Sequence, residues 1–373
     1  MIDEFRVVVG DAAVDDLRER LRRTRWPEEA TTPGWEQGTP LAYAKELCSY
    51  WADGYDFAAA AERLNRHPQF RTAIDGLAIH FVHVRSPRAD ATPLVLTHGW
   101  PGSVAEFAEV VGPLADPPAG EPAFHVVCPS LPGYGFSAKP AGPGWTVART
   151  ADAWASLMTR LGYKRFIAQG HDWGTSVSAA LGARHPARLI GIHLMPPLVA
   201  PDPATLDDLT DAERSAIDDL AAAASGDGYS FVQSTRPQTI GYALVDSPAA
   251  LCTWIAEKFH AWADGEVDRD RFLDNLMLYW LPATGASAAR LYRESFAEVQ
   301  ALFREDATDV IRVPTACSVF PRENPRPSRR WAARRFPDIR YWNEPARGGH
   351  FAALEQPAIF VTELRAAWPA GLP

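Results

Sequence analysis

Short apolar runs alternate with amphipathic stretches along much of the chain. Pro93-Leu94-Val95-Leu96-Thr97, Phe124-His125-Val126-Val127-Cys128, Phe166-Ile167-Ala168 and Leu189-Ile190-Gly191-Ile192-His193-Leu194 are short enough to read as strands buried on both faces. Between them, the spacing predicts helices from about Val104 to Leu114 and from about Val147 to Leu161, and another opening at Thr175. Strands separated by helices predict an α/β fold, a mostly parallel sheet with helices on both faces and ligands bound at the carboxyl ends of the strands. Upstream, Val14, Leu17 and Leu21 share one face of a helix over residues 12–24 that stops before Pro27. Trp26 to Trp51 shows few clear periods and is expected to wrap a neighbour. Ile74 to Val84 alternates around Asp75-Gly76 like a hairpin, or a strand entering a sheet, and the main domain is expected to start near there.

From about residue 199 the alternation gives way to helical patterns, including Asp211 to Ala224, Pro248 to Trp262 and Asp270 to Trp280. Trp254, Phe259, Trp262, Phe272, Tyr279 and Trp280 along this block read first as core, and together as walls of an apolar pocket. Strand patterning returns at Thr315 to Phe320 and Ile339 to Trp342, before a closing helix, Ile359 to Trp368. The helical block is therefore an insertion in one sheet domain. The division expected is an arm over 1–85, a core over 86–198 and 303–373, and a lid over 199–302.

Composition narrows the classes. A chain of 373 residues with 47% hydrophobic and 11% aromatic residues is a folded globular protein, and a net charge of −9 leaves no basic footprint for nucleic acid. Cys48, Cys128, Cys252 and Cys317 form no close pair, which suggests neither a zinc site nor a disulfide framework and fits a reduced cytoplasmic setting. No window has the uncharged apolar length of a membrane span, so a soluble protein is expected.

Candidate chemistry centres on Gly170-His171-Asp172-Trp173-Gly174, which closes one apolar run and opens a helix. Strand, sharp turn and helix are the setting of a nucleophile elbow, with Asp172 where Ser usually stands. A carboxylate attacks through oxygen, without prior deprotonation, to form an ester. A bare Gly-x-Asp-x-Gly reads equally well as a helix cap. Enzymes of the α/β-hydrolase fold order nucleophile, acid and base along the chain. His350, in a Gly-Gly-His loop after the last strand, fits the base, and Glu323 just past the preceding strand fits the acid better than Asp338, which precedes the last strand. Glu323 reads alternatively as a surface partner of Arg322 or Arg326. His98 reads as fixing its own loop, and no carboxylate cluster accompanies it or His171 to suggest a metal. No phosphate or nicotinamide fingerprint is present, so no cofactor is implied.

Trp100-Pro101-Gly102-Ser103 after His98-Gly99, the loop Leu131 to Ser137, the Asp elbow and Arg347-Gly348-Gly349-His350-Phe351-Ala352 together resemble epoxide hydrolases of the microsomal and juvenile-hormone type. The likeness includes the arm from Asp16-Leu17-Arg18 to Arg25-Trp26-Pro27, and in the lid Thr235 to Leu244 with Asp246-Ser247-Pro248. The membrane anchor of the microsomal enzymes has no counterpart, as in a soluble bacterial relative. The resemblance implies an α/β-hydrolase fold with an inserted helical lid. It makes Asp172 the nucleophile, Glu323 and His350 the charge pair, and Tyr229 and Tyr292 the lid acids. On residues alone, either tyrosine is equally a packed lid aromatic. Epoxide opening leaves an alkoxide, to which a phenol with a pKa of about 10 can donate. The ester is then cleaved by His350-activated water, with the backbone N–H groups of Trp100 and Trp173 as oxyanion donors, since Pro101 has none. The side chains of Trp100, Trp173 and Phe351 are expected to wall the substrate pocket. A small-molecule epoxide, bulky and apolar or aromatic, and water are the implied partners, without nucleic acid or membrane; a homodimer is left open. A hydrolytic dehalogenase uses the same Asp ester, but would leave both tyrosines without a task. A Ser esterase lacks its Ser at the elbow, and a non-catalytic ligand-binding relative would be expected to have lost a member of the set.

Overall fold

A computed structural model describes residues 1–303 and 309–370. Its sheet has nine strands among the described residues: β1 (Ile2–Phe5), β2 (Gln69–Ile74), β3 (Leu77–Val84), β4 (Thr92–Thr97), β5 (Phe124–Pro129), β6 (Phe166–His171), β7 (Leu189–Met195), β8 (Thr315–Ser318) and β9 (Ile339–Asn343). They lie in the order β1-β2-β3-β5-β4-β6-β7-β8-β9. The first three pair antiparallel, and β3 meets β5 antiparallel; from β5 to β9 every pair is parallel.

Because successive side chains point to opposite faces, an all-apolar strand feeds two cores at once. On β4, Val95 joins one apolar cluster while Leu94 and Leu96 join the other; on β6, Phe166 and Ala168 part from Ile167 in the same way. The elbow helix Trp173–Arg184 and the helix Val147–Arg160 cover the first face, whereas Ala108–Ala115 and Pro357–Ala367 cover the second.

The sheet begins earlier than the alternation around Asp75-Gly76 implies. Residues 2–5 form an edge strand on β2, and β2 and β3 are the hairpin. The arm's first helix, Asp11–Arg22, buries Val14, Leu17 and Leu21. The stretch with few clear periods contains a helix, Leu41–Ser49, that runs into a π-helical turn, Tyr50–Gly54. A third helix, Phe57–Leu64, starts where the Asp56 carboxylate accepts the Ala58 and Ala59 N–H groups.

Among the described residues, six helices of more than one turn lie between β7 and β8: Asp211–Gly226, Gly228–Thr235, Pro237–Asp246, Pro248–Trp262, Arg269–Trp280 and Gly285–Ala301. Their contacts bind them both to the arm and to the loops at the strand ends. Arg63 and the Tyr55 hydroxyl both donate to Asp274, and Trp35 stacks on His260 with ring centroids 3.9 Å apart. Asn275 donates to the Pro101 carbonyl at 2.8 Å and Tyr279 to the Gly102 carbonyl at 2.7 Å. These bonds hold the helical block over the carboxyl edge of the sheet. Among the described residues, no helix is long and apolar enough to cross a membrane.

Candidate active site

β6 enters the turn at Asp172, whose φ of 51° and ψ of −125° lie where side chains rarely go, and the helix starts at the next residue. Two glycines permit the turn: a Cβ at Gly170 would collide with the Gly174 carbonyl, and one at Gly174 with the Thr97 carbonyl on β4. Asp172 stands at the N-cap position of this helix, yet its side chain makes no capping bond. The carboxylate points into the site instead, where Oδ1 accepts the Trp100 N–H at 2.8 Å and the Trp173 N–H is a second donor. Burial raises the Asp172 pKa above the ordinary carboxyl value, opposed by the His350 charge and these two N–H groups.

His350 hangs from the loop after β9. Its own N–H bonds the Trp262 carbonyl at 3.0 Å, and the Gly348 N–H bonds Asp264 at 2.8 Å, which ties the loop to the lid. Nδ1 lies 2.8 Å from Glu323 Oε1, and Nε2 faces Asp172 Oδ2 at 3.7 Å. Burial works against a charged imidazole here, but Glu323, by charge and hydrogen bond, outweighs it with help from Asp172 and Glu106, and the pKa is pushed up to about 9. Glu323 is buried just past β8. Asp338, its rival in the sequence, pairs with Arg340 at 3.0 Å away from this cluster.

Asp172, Trp173, Tyr229, Tyr292, Glu323 and His350 line one cavity of about 440 Å³. Pro196, Leu198, Leu220, Phe296, Val299 and Phe303 supply its apolar wall, with Asp227, Gln300 and Asn324 among the polar lining. Tyr229 stands in the first turn of Gly228–Thr235 and Tyr292 in the middle of Gly285–Ala301, with ring centroids 5.9 Å apart. Burial, then the neighbouring phenol or the Asp172 charge, holds both phenols well above their ordinary pKa, so each stays a proton donor across the neutral range.

Two expected pocket walls stand one layer back. The Trp100 indole stacks on Tyr229 at 5.0 Å, backing the tyrosine. Phe351 stacks on Phe259 at 3.9 Å and meets His350 edge-on at 5.0 Å, so it supports the histidine and does not line the cavity. The aliphatic residues after β7 and on Gly285–Ala301 take that place. His98 accepts the Leu131 N–H at 3.1 Å through Nε2, and its Nδ1 lies 2.9 Å from the Gly99 carbonyl, which fixes two loops; burial lowers its pKa to about 4.

Glu106 was not legible as a site residue. It is buried beneath the elbow, with Oε2 2.8 Å from His171 Nε2, while Oε1 accepts the Ser103 N–H. Ser103-x-x-Glu106 is a capping box, a pattern visible in the sequence that marks a helix start and says nothing of the histidine it meets. Lys258, beside Tyr229, was likewise hidden in the helical pattern of Pro248 to Trp262, whereas Trp262, one of the aromatics expected as core or pocket wall, stands 4.9 Å from His350 ring to ring. Among the described residues, no group of three or more His, Cys, Asp or Glu side chains is placed to hold a metal ion.

Residues 2–107 match the family model described as epoxide hydrolase N terminus, and residues 92–233 that of the alpha/beta hydrolase fold. A Stigmatella aurantiaca protein named "Putative epoxide hydrolase" is 49% identical over 98% of this chain and 84% of its own. Epoxide hydrolase 1 of Sus scrofa is 33% identical over 98% of this chain and 88% of its own. The crystal structure of juvenile hormone epoxide hydrolase from Bombyx mori superposes with a TM-score of 0.90 at 30% identity, covering 98% of this chain and 94% of that one. On its sequence and on its fold, the chain belongs to the epoxide hydrolases of the α/β-hydrolase fold.

Proposed function

We propose that this epoxide hydrolase converts an apolar or aromatic epoxide to a vicinal diol through an ester on Asp172. The observation that carries the reading is the pairing, in one cavity, of a carboxylate held by two main-chain N–H groups with two buried phenols and a His–Glu pair. In the first half, Asp172 attacks one ring carbon; the C–O bond breaks towards oxygen, which takes a proton from Tyr229 or Tyr292. The aliphatic wall of the cavity supports an apolar substituent on the ring.

The pKa of His350 fits a cycle that closes on itself. At neutral pH the resting imidazole is charged, opposite ionised Asp172. Alkylation removes the Asp172 charge, and with it part of the support for the imidazolium, which releases its proton towards the phenolate left behind. Neutral His350 then takes a proton from water attacking the ester carbonyl. Negative charge gathers on the carboxyl oxygen to which the Trp100 N–H is already bonded, with the Trp173 N–H as second donor, a device whose single donors are worth roughly a hundred- to a thousandfold. Collapse frees the diol and restores the carboxylate and the imidazolium.

Incubation with styrene oxide tests this directly: diol is expected from the native chain, and an adduct of enzyme plus substrate from His350→Gln by intact mass. A His350→Gln protein that turns over fully and stays unmodified would overturn the assignment. So would halide release from a haloalkane in place of diol formation.

A further inference from the structure

Lys258 is 4% exposed, on the inner side of the helix Pro248–Trp262. Lysines are almost never buried so deeply without a partner, because an ammonium gives up its hydration there. A methionine would cover the same apolar surface without that cost. The Lys258 ammonium lies 4.4 Å from the centroid of the Tyr229 ring and 5.4 Å from that of Trp262. Its acidic neighbours are Glu257, at 2.9 Å and a third exposed, and Asp227, two residues before Tyr229. Asp172 and Tyr292 face Tyr229 across the cavity. The Tyr229 ring is thus packed between Trp100 and Trp262, and among the charges around it Asp172, Asp227 and Glu257 are acidic while the Lys258 ammonium lies against the ring itself.

We propose that Lys258 is a positioning residue for epoxide opening, its ammonium on the Tyr229 ring stabilising the negative charge that gathers there as the phenol gives up its proton. This rests on Tyr229 acting as an acid in the reaction above. In that step the Tyr229 O–H bond breaks and its proton goes to the epoxide oxygen. That oxygen has received the electron pair of the ring C–O bond, and a bond forms between Asp172 and the carbon. Tyr229 is left as phenolate. A cation over an aromatic face is attracted to the neutral ring and far more to the anion, so the contact strengthens towards the transition state and lowers the barrier. Burial and the charges of Asp172, Asp227 and Glu257 all make the phenol a weaker acid, which is the handicap the ammonium counters. Once His350 has returned the proton, the contact has no part in ester hydrolysis. The role is therefore confined to one half of the cycle.

Single-turnover kinetics with styrene oxide separate the two halves. Lys258→Met is expected to slow ester formation on the order of tenfold, to leave hydrolysis of the formed ester unchanged, and to be largely rescued in Lys258→Arg. In a Tyr229→Phe background, Lys258→Met should cost nothing more. Lys258→Gln makes the same charge deletion with a polar side chain if the Met variant does not fold. Equal slowing of both halves, unchanged rates with only a lower melting temperature, or the same loss in the Phe background would each overturn the proposal and leave Lys258 a staple of the lid. Unchanged ester formation in Tyr229→Phe alone would instead overturn the role of Tyr229 on which it rests.

Discussion

Asp172 carries two burdens at once, a backbone conformation costly for any residue with a side chain and a carboxylate removed from water. The carboxylate is met by neighbours distant in sequence, Trp100 from the β4 end and His350 from the far end of the chain, while the turn leaves room for the Thr97 carbonyl only because Gly174 has no side chain. The chain order of Asp172, Glu323 and His350 was legible because it follows from the fold and needs no distances. The tyrosines were legible only through a family likeness, since a phenol in a lid helix looks the same whether it packs or donates. Glu106 and Lys258 were not legible at all, because their contacts cross between elements that sequence does not pair. Replacing Tyr292 or Tyr229 with Phe should each slow ester formation about a hundredfold, the low end for a positioned acid, and the double variant should form no detectable ester in rapid-quench mass measurements. Unimpaired ester formation in the double variant would show that neither phenol is an acid in ring opening.

At the scale of elements, the arm and the helical block hold one another. Asp274 on Arg269–Trp280 is buried and takes hydrogen bonds from Tyr55 and, through two nitrogens, from Arg63. The same helix reaches the Trp100 loop through Asn275 and Tyr279, so the arm steadies the Trp100 oxyanion donor at one remove. Asp274→Asn keeps the volume and removes the charge, and should destabilise the protein by about 2 kcal/mol in urea unfolding, the scale of a broken buried charged bond. The sequence hid this arrangement for a physical reason. The helix Leu41–Ser49 is short and ends in a π turn that spoils its period, and Trp51 is fully buried from that turn, against Trp280 of the lid. Strand Ile2–Phe5 has no fully buried position, so no alternation announces it. The parallel strands were legible because burial on both faces leaves unbroken apolar runs.

Across the whole molecule, histidines set opposite slopes on the two sides of neutrality. Burial lowers His80 and His193 to about 3, and His83 and His98 to about 4. Unfolding lets these groups take up protons below their unfolded pKa of about 6.5, so stability falls as pH drops through that value. His350, raised to about 9, does the reverse: its contribution is full below about 6.5 and is lost as pH rises through its folded value. Melting temperature should therefore decline between about pH 6.5 and 9 in the native protein, and the decline should shrink in His350→Gln. An unchanged alkaline slope in that variant would place the titrating group elsewhere.

On this mechanism the diol acquires an oxygen from Asp172, and water attacks the enzyme, not the epoxide. A single turnover in heavy-oxygen water, with excess enzyme over styrene oxide, decides between the two by peptide and product mass. An unlabelled diol and label in the Asp172 carboxylate are expected; a labelled diol beside an unlabelled Asp172 would rule out the ester.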